Sequence, residues 1–98
     1  MVEYRRLPVP MGSGGTVYPS LIKSAEHAVL VDTGTRSGFD ALWQQLEESL
    51  FMEARPLDAV LMTHAHQDHY GGLNLLLERL KVPVYCWTGA LEYYNCYP

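Results

Sequence analysis

The ten residues Thr63-His64-Ala65-His66-Gln67-Asp68-His69-Tyr70-Gly71-Gly72 constrain this chain more than any other stretch. They place three of its four histidines and an aspartate within six positions, directly after the apolar run Leu57-Asp58-Ala59-Val60-Leu61-Met62. A fold that accommodates them must hold that run as a strand and let polar groups gather at its carboxyl end, where α/β sheets keep their sites. Imidazole nitrogens and carboxylate oxygens are donors that borderline divalent metals accept. If the backbone stays extended past the strand, His64 and His66 point the same way, because side chains alternate with period two. They can therefore share one metal. Asp68 and His69 follow as the chain turns toward the next helix, and can be aimed at a second metal. Gly71 and Gly72 lack Cβ atoms and allow the backbone to turn sharply and pass close to the metals. A chance polar turn is the competing reading, and four donor-type residues at this spacing weigh against it.

The rest of the chain reads as alternating strands and helices. Residues 2–7 form a candidate strand ended by Pro8 and Pro10, and Met11-Gly12-Ser13-Gly14-Gly15 is a glycine-rich loop. The stretches 16–23 and 27–32 flank the polar break Ser24-Ala25-Glu26, a hairpin pattern in which Pro19 marks the first strand as irregular or at an edge. Phe39, Leu42, Trp43, Leu46 and Leu50 share one helical stripe, with Gln44, Gln45, Glu47 and Glu48 facing away and Ser37 as the expected N-cap. A strand over 57–62, a leucine-rich helix over 72–80 and a strand over 82–86 follow, and Thr88 caps a short helix expected to run through Tyr94. This order is α/β, with parallel pairing through crossovers.

Composition removes several alternatives. The formal net charge is −4, and no Lys/Arg cluster exceeds the pair Arg5-Arg6, so nucleic acid is not the expected partner. No window approaches the roughly 18 apolar residues that a membrane span needs, and no secretory signal is evident after Met1. A cytoplasmic location is the expectation, with Cys86 and Cys96 reduced. His27 stands alone and reads as exposed or hydrogen-bonded, Cys86 as a small core hydrophobe. Trp87, Tyr93, Tyr94 and Tyr97 form a terminal aromatic cluster that either binds a partner or packs against further structure.

The run Thr63-His64-x-His66-x-Asp68-His69 followed by Gly71-Gly72 resembles the HxHxDH signature of the metallo-β-lactamase superfamily. Val31-Asp32-Thr33-Gly34 resembles the first motif of the same family, at the end of an early strand. The resemblance covers essentially the whole chain. It implies that His64 and His66 bind a first metal and that Asp68 and His69 bind a second, with Asp68 also in the catalytic set. Asp32 then lies near the metals and anchors their loop by hydrogen bonds, among surrounding residues that include Thr63, Gly71 and Gly72. The implied fold is half of an αββα sandwich (α/β, or α+β in some schemes), a mixed sheet with helices on one face. Residues 1–98 are then a single partial domain, its amino-terminal half.

The implied cofactor is Zn2+, two ions per complete site, with iron or manganese as the alternatives. The implied activity is metal-dependent hydrolysis of a thioester, lactam, lactone or phosphodiester by metal-activated water, on a small-molecule substrate. The family's remaining ligands lie downstream of the first signature, and no histidine follows His69 here. Self-association or a complementary carboxyl-terminal half is the expected source of the rest. Two further readings stand beside this one. A persulfide dioxygenase-like oxidoreductase would use iron at the same motif, whereas His66 disfavours the flavodiiron branch, in which that position is typically glutamate. A non-catalytic fragment or interaction module would keep the motif without turnover.

Overall fold

The apolar stretches settle as strands because alternate residues have somewhere to be buried. The computed structural model describes residues 2–12, 14–63 and 71–86. Among them seven strands run in chain order: β1 (Glu3–Arg6), β2 (Val9–Pro10), β3 (Thr16–Val17), β4 (Ser20–Lys23), β5 (Ala28–Val31), β6 (Ala59–Met62) and β7 (Val84–Cys86). Five of them form one sheet in the order β1-β4-β5-β6-β7, and β2 pairs with β3 in a small separate ribbon. The pairings β1–β4 and β4–β5 are antiparallel, while β5–β6 and β6–β7 are parallel. The sheet is therefore mixed, as the family resemblance implies.

Register places a continuous apolar row across one face. Leu21 lies opposite Leu30, Leu30 opposite Val60, and Val60 opposite Val84. Leu21, Leu30 and Val60 are fully buried. Among the described residues two helices, α1 (Phe39–Ser49) between β5 and β6 and α2 (Leu73–Arg79) between β6 and β7, join the same core through Phe39, Leu42, Leu46, Leu73 and Leu76. The opposite face carries Tyr4, Ile22, Leu61 and Tyr85, all exposed.

The α1 stripe matches its sequence period, but its cap does not match expectation. Gly38 is the N-cap, and no side chain caps the helix. The Ser37 hydroxyl instead accepts a hydrogen bond from the Gly12 amide at 3.1 Å, and the Gly38 amide donates to the Thr35 hydroxyl at 3.1 Å. Ser37 is thus used to tie the glycine-rich loop to the start of the helix. At the other end, the Lys23 ammonium donates to the Ser49 carbonyl at 3.0 Å and Arg5 donates to the Ser49 hydroxyl at 3.1 Å. Two cations, one from β1 and one from β4, thereby meet the negative end of the helix dipole. No local pattern announces the 3-10 turn Phe51–Glu53 that follows, which closes with Ala54 in the left-handed conformation. The expected first hairpin strand is broken at Tyr18-Pro19, where the Pro19 carbonyl accepts from the Leu7 amide at 2.7 Å.

Aromatic packing joins the helices. Trp43 lies 6.1 Å from Phe39 and 5.2 Å from Phe51, centroid to centroid, and the Arg79 guanidinium from α2 sits over both Phe39 and Trp43. His27 is exposed, with Nδ1 3.6 Å from Asp58, and Cys86 is a half-buried free thiol packed against the core. The expected helix Thr88–Tyr94, Cys96 and the cluster Trp87, Tyr93, Tyr94 and Tyr97 lie outside the described residues.

Leu46 is the most direct test of this core. Leu46→Ala removes a fully buried side chain, and we expect a loss of about 2–5 kcal/mol in urea unfolding. A loss below about 1 kcal/mol would show that α1 is not seated as described.

Candidate functional site

Parallel pairing brings the carboxyl ends of β5 and β6 to the same edge of the sheet. Asp32 follows β5 directly, and Thr63 follows β6 directly. The Asp32 amide donates to the Leu61 carbonyl at 2.9 Å, extending the ladder by one bond. Its carboxylate then takes both donors of Thr63: Oδ1 accepts from the Thr63 amide at 2.8 Å, and Oδ2 from the Thr63 hydroxyl at 2.6 Å. Hydrogen bonds to a carboxylate are the short, strong class, and burial strengthens them. Asp32 is only 9% exposed.

The backbone that presents this carboxylate is unusual. Asp32 has φ 66°, in the left-handed region that aspartate enters more readily than most residues. Two positions later Gly34 has φ 76°, and a Cβ there would fall 3.0 Å from Cγ1 of Val9. Both the conformation and the space therefore call for glycine. The turn aims the Gly34 carbonyl at the start of α2, where it accepts from the Gly72 amide at 3.1 Å. The short strip 32–34 thus bonds Thr63 on one side and Gly72 on the other.

Thr63 and Gly72 bracket the donor-bearing segment. His64, His66, Asp68 and His69 themselves lie outside the described residues, and so does Tyr70. Asp32, Thr63, Gly71 and Gly72, the residues expected around those donors, are described, and the structure joins Asp32 to Thr63 directly. Among the described residues no group of three His, Cys, Asp or Glu side chains comes together. One expectation changes in its physical reason. Gly72 has φ −89° and ψ −3°, which any residue adopts, so a sharp turn is not what it supplies. It supplies clearance, because a Cβ would lie 3.2 Å from the Thr33 carbonyl oxygen.

The Gly34 carbonyl, Thr33 and Thr35 are not among the site residues expected from the sequence. Thr33 is fully buried, and the Thr35 hydroxyl donates to the Pro10 carbonyl at 3.2 Å while accepting from Gly38. The pattern Asp-Thr-Gly-Thr carried the signal, since hydroxyls and a glycine between a strand and a helix indicate a hydrogen-bonded turn. Asp32→Ala removes the acceptor of two short hydrogen bonds from Thr63 and should cost about 1–3 kcal/mol. Asp32→Asn, which keeps an acceptor and tolerance of the left-handed region, should recover part of that loss in thermal unfolding. Equal stability of wild type and Asp32→Ala would show that the carboxylate does not hold the strand ends together.

Comparison with known proteins places this geometry. The family model described as the metallo-beta-lactamase superfamily matches residues 12–94. The probable metallo-hydrolase YybB of Bacillus subtilis (strain 168) is 35% identical over 79 residues, covering 81% of this chain and 34% of that protein. The anaerobic nitric oxide reductase flavorubredoxin of Vibrio vulnificus (strain YJ016) is 30% identical over 79 residues, covering 80% of this chain and 16% of that protein. Among solved structures, the metallo-beta-lactamase FIM-1 from Pseudomonas aeruginosa, in its mono-zinc form, superposes with a TM-score of 0.67 at 20% identity. That match covers 97% of this chain and 42% of FIM-1. The chain spans about a third of the length of YybB and less of flavorubredoxin. With a family match over most of its length and the same fold, this chain belongs to the metallo-beta-lactamase superfamily.

Proposed function

We propose that this chain carries one part of the active site of a metal-dependent hydrolase. The observation that carries the reading is the strip 32–34, which fastens both ends of a segment holding three histidines and an aspartate at the carboxyl end of β6. The donor set fits zinc, since imidazole and carboxylate are among its ordinary protein ligands. His64 and His66 would hold one metal, and Asp68 and His69 a second, with Asp68 in the catalytic set. When bound, such metals supply Lewis-acid activation of water and of a substrate oxygen.

The chain's own part is to set where the donors start and stop. The Asp32 carboxylate fixes Thr63, one residue before His64, by two hydrogen bonds at 2.8 and 2.6 Å. Gly71 and Gly72 pass the chain into α2, whose Leu73 and Leu76 are anchored in the core. Residues 1–98 are one part of a larger αββα domain, and a complementary carboxyl-terminal half or a second copy completes the ligand set. The substrate class is a small thioester, lactam, lactone or phosphodiester. Among the described residues no helix is long and apolar enough to cross a membrane; a cytoplasmic location is part of the proposal.

The flavorubredoxin match brings in a second reading, an oxidoreductase. His66, where the flavodiiron branch typically has glutamate, weighs against that branch and leaves a persulfide dioxygenase-like, iron-dependent oxidoreductase as the alternative to hydrolysis. Elemental analysis decides between them: zinc in the purified chain supports the hydrolase, and iron supports the oxidoreductase. His64→Ala and Asp68→Ala should each lower metal content, and unchanged content in both would sink the assignment of ligands.

A further inference from the structure

We infer that Gly72 is a positioning residue for the donor segment, acting through the hydrogen bond from its amide to the Gly34 carbonyl, an inference that rests on reading residues 64–69 as metal ligands. Four observations converge on it. The bond is 3.1 Å long and leaves from the strip whose first residue already holds Thr63. The acceptor is aimed by a left-handed Gly34, which is packed against Val9 with no room for a side chain. The donor sits where a Cβ would meet the carbonyl oxygen of Thr33 at 3.2 Å, that of Thr35 at 3.5 Å and Cδ1 of Phe39 at 3.5 Å. Gly72 is also the N-cap of α2, whose Leu73 and Leu76 are 1% and 0% exposed.

Together these make the strip a ruler. Asp32 and Gly34 are two residues apart, and they hold Thr63 and Gly72, the residues that flank the eight-residue stretch 64–71. Fixing the residues on either side of a segment lowers the entropy lost when its side chains converge on a ligand. The two anchors also divide the work. His64 adjoins the Thr63 anchor, whereas Asp68 and His69 are four and three residues from Gly72. Gly72 therefore bears chiefly on Asp68 and His69, and Asp32 chiefly on His64 and His66.

The test compares the full chain with Gly72→Ala and with Leu21→Ala, a buried residue on a strand that makes none of these contacts. Zinc affinity is read by competition with a chromophoric chelator, and folding stability by urea. Gly72→Ala should weaken zinc binding at least about tenfold, the range for residues that orient metal ligands. Leu21→Ala should leave zinc affinity within about twofold while losing as much stability or more. Wild-type affinity in Gly72→Ala, or equal loss in both variants, overturns the inference and leaves the metal assignment standing. No zinc uptake by the wild-type chain overturns both. If Gly72→Ala does not fold, amide hydrogen exchange of the wild type decides. A protected Gly72 amide that zinc slows further supports the inference, and one that exchanges freely or ignores zinc overturns it.

Discussion

The Asp32 carboxylate joins the ends of two parallel strands that are distant in sequence, and the arrangement of the site depends on that junction. Parallel strands leave their last residues side by side with no turn to connect them. Here the gap is closed by a side chain that accepts both the amide and the hydroxyl of Thr63. The same residue continues the β5–β6 ladder through its own amide. Its left-handed backbone is the conformational cost of turning the carboxylate back toward β6 while sending the chain on to Gly34. Everything that follows, from the Gly34 carbonyl to the start of α2, is placed by that turn.

The helices serve this arrangement by holding the strip from behind. Phe39 opens α1 and lies under Gly72, and the Arg79 guanidinium from the last turn of α2 reaches back over Phe39 and Trp43. A cation over aromatic faces contributes about 0.5–2 kcal/mol depending on how dry the site is. Its position matters more than its size, since it ties the far end of α2 to the helix beneath the strip. Among the described residues no buried side-chain nitrogen or oxygen lacks a hydrogen-bond partner, so this polar corner is internally satisfied.

Much of this was legible in the residues. The 3.6-residue period of Phe39, Leu42, Leu46 and Leu50 and the apolar runs of β5 and β6 are direct readings of burial on one face. The donor segment announced itself by composition and by its place after a strand. What was not legible depended on contacts between distant segments. Ser37 has the chemistry of a cap, but the glycine-rich loop presents its Gly12 amide to that hydroxyl, and the helix starts at Gly38 without a side-chain cap. The ribbon of Val9–Pro10 with Thr16–Val17 is too short to leave a periodic signal. Gly72 is a glycine because of Thr33, some forty positions earlier, and no local pattern states that.

The mixture of strand directions also orders the assembly of the molecule. β1, β4 and β5 pair antiparallel through connections that keep partners near in sequence, whereas β6 must be brought back beside β5 across the whole of α1 and the turn after it. Closing the longer connection costs more entropy before any contact repays it. The antiparallel side of the sheet can therefore organise first, and the parallel side later. Asp32 belongs to the early side and Thr63 to the late one, so their bond forms only when the two have met. The seam between the two halves of the folding reaction is the same seam that holds the donor segment, and whatever binds there would report, by its retention, that the last step of folding is complete.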